Sequence, residues 1–108
     1  MAVHNKLVRD HMKQIILDAG RKPIMKTLNH EEYVTELRKK SEEELQEYLN
    51  AETNEEALEE LADLLEVIHA LAETHGSSID EVEKRRVAKA ESRGGFSDRV
   101  FLIEVKDD

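Results

Sequence analysis

Apolar side chains recur along this chain with helical rather than strand spacing. Across residues 5–19 they fall at Leu7, Val8, Met12, Ile15, Ile16 and Ala19, roughly one stripe of a helix. Gly20 stands where a C-terminal cap belongs, and Pro23 forbids easy continuation. After a connector, Asn29 followed by Glu32 reads as an N-cap with its capping-box partner. The helix it opens has its apolar positions at Tyr33, Val34, Leu37, Leu45 and Tyr48. Residues 51–54 read as a tight reversal, with Thr53 and Glu56 forming a second box. The third helix runs to about His75, with Gly76 as its stop, and carries Leu58, Leu61, Leu64, Leu65, Val67, Ile68 and Leu71. At about 1.5 Å per residue it spans roughly 33 Å. Ser78 with Glu81 caps a fourth helix bearing Ile79, Val82 and Ala90, ended by Gly94-Gly95. The tail, residues 99–105, reads as a short strand or an extended arm. These elements predict an all-α, single-domain protein over residues 1–108: a four-helix bundle around a central antiparallel helical hairpin.

Helix three is apolar around much more than the stripe of about 100° that a surface helix needs. One small bundle can hardly cover it, so self-association to a dimer or tetramer is expected. The 108-residue length agrees, since a core of that size is thin. With two Phe, two Tyr and no Trp, the interior must be aliphatic. No run of about 18 apolar residues is present, which predicts no membrane span. The first ten residues, MAVHNKLVRD, lack the apolar core of a signal peptide. The absence of cysteine excludes disulfides and fits a cytoplasmic chain. A net charge of −9 argues against binding a nucleic acid polymer, which requires Lys and Arg against phosphates. An acidic protein that holds a polyphosphate needs a divalent cation to reverse the local sign.

The acids of helices two and three are not distributed at random. At about 100° per residue, Glu44 falls inside the apolar arc of helix two. Glu47 and Glu43 lie progressively round one edge, and Glu42 points the other way. On helix three, Glu60 and Asp63 share the flank of Val67. An acid on an apolar face costs several kcal/mol unless it is paired or metal-bound. In an antiparallel hairpin reversing between Thr53 and Asn54, Glu47 comes level with Glu60, and Glu44 with Asp63. Either these acids face solvent at the edge of the bundle or they converge on a cation. An all-oxygen set of this kind favours Mg²⁺, with Mn²⁺ as the alternative, over zinc.

Glu43-Glu44-x-x-Glu47, a spacer of twelve, then Glu60-x-x-Asp63 resembles the signature of the all-α nucleoside triphosphate pyrophosphohydrolases, the MazG and phosphoribosyl-ATP pyrophosphohydrolase superfamily. Lys6-Leu7-Val8-Arg9-Asp10, the run from Glu60 to Ile68, and Lys89 through Arg93-Gly94-Gly95-Phe96 extend the likeness over nearly the whole chain. Ser41 departs from it, standing where Leu is expected. The resemblance implies that Glu44, Glu47, Glu60 and Asp63 hold the metal. It also implies that Glu43 sits beside them as an outer acid or as the catalytic group that orients water. The implied reaction is Mg²⁺-dependent hydrolysis of a nucleotide between its α- and β-phosphates, giving monophosphate and pyrophosphate. The implied alternative within the family is phosphoribosyl-ATP pyrophosphohydrolase of histidine synthesis; outside it, a non-catalytic helical interaction module. Lys6 and Arg9, a turn apart on helix one, and Lys89 and Arg93 at the end of helix four are the candidate phosphate-binding cations. The five histidines have no metal-ligand spacing, and the Gly-x-x-x-x-Gly-Lys phosphate loop is absent.

Overall fold

The structure is a computed structural model that describes residues 4–107. Four helices make up its regular structure: α1 (Met12–Asp18), α2 (His30–Leu49), α3 (Asn54–Thr74) and α4 (Ile79–Arg93). The chain is all-α, and the expected C-terminal strand does not form among the described residues. A strand needs a neighbour to take its ladder hydrogen bonds. Residues 100–107 have none.

Helix ends follow the local chemistry closely. The Asn29 side chain accepts from the Glu32 N–H at 2.9 Å, and Glu32 answers by accepting from the Asn29 N–H at 3.2 Å. The boxes expected at Thr53 and Ser78 form only by half. Thr53 accepts from the Glu56 N–H, but Glu56 turns to the N–H of Glu52. Glu81 donates its N–H to Ser78 at 3.5 Å and spends its carboxylate on Arg85 at 3.0 Å. Gly20 and Gly76 take positive φ after α1 and α3. There Arg21 and Ser77 each send an N–H back to the carbonyl five residues earlier, closing the Schellman arrangement.

The first helix is much shorter than expected. Asn5 adopts φ 46°, and helix begins only at Met12, without a side-chain cap. Lys6 and Arg9 therefore lie on a non-helical segment that precedes α1.

The α2–α3 hairpin is the body of the molecule. Its register is read from opposed groups: Glu47 meets Glu60 near the turn, Glu44 meets Asp63 further along, and Tyr33 meets Glu73 near the open end. Away from the turn the two helices advance together to within one residue, from 47 to 33 on α2 against 60 to 73 on α3, as antiparallel helices of about 30 Å require. Leu37, Val67 and Ala72 are its buried apolar residues. α4 packs back on the end of α3, whereas α1 packs against none of the other helices. The radius of gyration is 18.7 Å, against about 13 Å for a compact domain of this length. One chain thus leaves much apolar surface uncovered.

The hairpin has two unlike flanks. At about 100° per residue, Glu44, Glu47, Glu60 and Asp63 occupy the inner line and one side. Leu45, Leu49, Leu58, Leu61 and Leu65 occupy the other, each exposed by at least 43%. Leu45, expected among the inward positions of α2, belongs to this outer flank.

Candidate metal centre

The acid flank is built from two helical segments whose i, i+3 acids face across the hairpin. One carboxylate oxygen each from Glu44, Glu47 and Glu60 lies within 4.8 Å of the others. Glu44 is 94% buried, although acids avoid burial unless something compensates them. Its Oε2 and the Oε2 of Glu60 are buried and have no hydrogen-bond partner. Two orphaned carboxylate oxygens beside a third acid are what a hard cation with oxygen ligands satisfies. The residues present therefore fit a divalent metal ion.

The electrostatics register the crowding. The Glu44 carboxyl is raised above its ordinary range, first by loss of water and then by the Glu47 carboxyl; Lys40 acts the other way. Glu60 is pushed up to about 7, first by a proton-sharing contact with Glu47, then by loss of water and the charges of Glu47, Asp63 and Glu44. Like charges at this distance resist simultaneous ionisation, so the cluster holds a proton where a cation is lacking.

Helical spacing predicts Asp63 beside the other three acids, yet it does not join their close group. Arg9 reaches over from the segment before α1 and donates to Asp63 Oδ1 at 2.7 Å. Arg9, expected to face phosphate, instead holds an acid of the cluster. Lys40 was missed. Its Nζ lies 3.5 Å from Glu44 Oε1, and both side chains are largely buried. The signal was the i, i+4 spacing of Lys40 and Glu44 on the inner face of α2. Ser41, the departure from the family pattern, satisfies its hydroxyl by donating to the Arg38 carbonyl at 2.6 Å.

Glu43 is exposed, one residue round the helix from Glu44. Lys6, Lys89 and Arg93 are exposed as well, and among the described residues no ion pair ties them to the acids. Lys89 and Arg93 sit on the last turns of α4, which ends at Arg93 before Gly94 turns to φ 84°. Gly94 is thus a helix stop, as read from sequence.

No protein-family model matches the chain, and no solved structure matches it. An uncharacterized protein of Mycolicibacterium smegmatis is 41% identical over 54 residues, which are 50% of this chain. The match covers 55% of that protein, so the chain spans about half the length of this curated relative. No helix among the described residues is long and apolar enough to cross a membrane.

Proposed function

We propose that this protein is a Mg²⁺-dependent nucleotide pyrophosphohydrolase of the cytoplasm, releasing a monophosphate and pyrophosphate from a nucleoside triphosphate or a related nucleotide. The observation that supports it most is the pair of buried, unpartnered oxygens on Glu44 and Glu60 within reach of Glu47. Glu44, Glu47 and Glu60 would hold the ion, with Asp63 as the fourth acid once Arg9 leaves it. A bound divalent cation supplies charge neutralisation at the phosphates and a more acidic water. Glu43, exposed beside the cluster, accepts a proton from water. Arg9, freed from Asp63, and Lys6 take phosphate oxygens on one side; Lys89 and Arg93 take them on the other. The choice of the α–β bond rests on the family resemblance.

The working unit in this reading is a homo-oligomer, dimer or tetramer, whose helices complete the bundle that one chain leaves open. Two flanks of opposite character support that arrangement, because the leucine side can be covered while the acid side stays accessible.

The test is a nucleotide panel with Mg²⁺, phosphoribosyl-ATP included, run in ¹⁸O-labelled water. Pyrophosphate release with label in the monophosphate is expected. Label only in pyrophosphate would move the attack to the β-phosphorus. Orthophosphate release, or no turnover of any nucleotide, would defeat the proposal.

A further inference from the structure

Lys40 and Glu44 make an ion pair that helix stability does not explain. Their side chains are 24% and 8% exposed, and Lys40 Nζ stands 3.5 Å from Glu44 Oε1. Lysine is seldom taken out of water, and desolvating an ion pair costs energy that its attraction does not reliably return. A Lys four residues before a Glu is also the poorer order of the two on a helix. Lys39–Glu36 on α2, and Arg85–Glu81 and Arg86–Glu83 on α4, run in the better order and are more exposed.

The pair divides the two oxygens of Glu44. Oε1 faces Lys40, whereas Oε2 is buried with no hydrogen-bond partner. Among the described residues, no ion pair takes an oxygen of Glu47 or Glu60, the two acids grouped with Glu44.

We propose that Lys40 is a positioning residue that sets which divalent cation the acid cluster accepts: by engaging Glu44 Oε1 it restricts Glu44 to coordination through Oε2 alone, favouring Mg²⁺ over Ca²⁺. This rests on the assignment of a metal ion to Glu44, Glu47 and Glu60.

Coordination chemistry gives the direction. Mg²⁺ binds its oxygens at about 2.0–2.1 Å in a near-regular octahedron and keeps several waters, which single carboxylate oxygens allow. Ca²⁺ takes more oxygens, at about 2.3–2.6 Å, and readily accepts both from one carboxylate. An oxygen committed to an ammonium is withheld from that second bond. The positive charge of Lys40 also repels any cation in the cluster. That repulsion falls alike on two ions of equal charge, whereas loss of the second oxygen falls on Ca²⁺.

The test is titration calorimetry of the full chain with Mg²⁺ and with Ca²⁺, without nucleotide, reading the ratio of the two affinities. Lys40→Met keeps the unbranched stem and removes the ammonium, which frees Oε1. The Ca²⁺ to Mg²⁺ affinity ratio should then rise about tenfold, whereas a lost charge alone would raise both affinities and leave the ratio in place. Lys40→Ala should shift the ratio the same way, and Lys40→Arg, which restores a cation, should bring it back. Lys39→Met removes the neighbouring charge, leaves Glu44 paired, and should not move it. An unchanged or lower ratio in Lys40→Met and Lys40→Ala, with both ions still bound, would overturn the role of Lys40 and leave the metal assignment standing. Binding of neither ion to the unsubstituted chain, or binding that Glu60→Gln does not weaken, would overturn both.

Discussion

The two flanks of the α2–α3 hairpin differ in what they lack. On the acid flank, buried oxygens of Glu44 and Glu60 lack a partner, and among the described residues the cations paired with the cluster are Lys40 and Arg9 at its margins. On the opposite flank, Leu45, Leu49, Leu58, Leu61 and Leu65 want cover from water. In the proposed reading the first need would be met by a divalent cation, with specific geometry and large energies per contact. The second is met by area, non-directionally and in small increments. A hairpin this thin cannot hide either side, so each flank points to something outside the single chain.

The largest effect that would break this contrast lies among the acids. Glu60→Gln and Glu44→Gln should each reduce Mg²⁺-dependent hydrolysis by at least about 100-fold, since a metal ligand carries several kcal/mol of charge stabilisation. Far-ultraviolet circular dichroism should be unchanged. Asp63→Asn should cost less, because Arg9 already occupies Asp63. Full activity in Glu60→Gln would remove the metal assignment.

Leu58→Asp together with Leu61→Asp should leave the acid geometry in place but dissociate the oligomer. Burying a Leu side chain stabilises by about 1.5–3 kcal/mol, and these two are about half exposed already, so a shift in dissociation constant of about 10–100-fold is expected. Light scattering across a dilution series reads it. A wild-type chain that is monomeric at micromolar concentration would refute the leucine flank as an interface.

The acid cluster also sets a pH dependence. Glu60 titrates near 4.5 unfolded and about 7 folded, so between those values the folded state binds the extra proton. The contribution of Glu60 to stability without metal is therefore fully present below about pH 4.5, falls as pH rises, and levels off above about 7. Thermal melts in chelator should show that decline, and Glu60→Gln should flatten it. Proton and cation compete for the same oxygens, so Mg²⁺ affinity should rise through the same window. A melting temperature that climbs from pH 5 to 7 without metal would contradict the cluster.

Smallest are the marginal cations. Arg9→Gln breaks an exposed ion pair and should change stability by under about 1 kcal/mol. It should weaken nucleotide binding, read by titration calorimetry. Lys40→Met should lower the metal-free melting temperature slightly while sparing the metal-loaded one, because Glu44 then loses the cation beside its carboxylate.

Much of this molecule is written in short-range pattern. Asn29 and Glu32 mark the start of α2, Gly20, Gly76 and Gly94 the ends of three helices, and the turn at residues 50–53 fixes the register of Glu47 against Glu60. Each depends on neighbours within four or five residues, or on counting outward from one tight turn. Other features depend on groups distant in the chain. The stripe across residues 5–19 predicts a longer helix than α1, because periodicity does not reveal that α1 has no helix packed against it. The run at 100–105 has strand composition, but a strand exists only with a neighbour, and the described residues supply none. Only the tertiary structure separates Asp63, paired with Arg9 from 54 residues away, from the close group of Glu44, Glu47 and Glu60. Helical spacing and a short turn dictate which acids meet across the hairpin, and both are legible in the residues alone. Burial and competing partners decided which of them remain unsatisfied, and those are properties of the assembled surface.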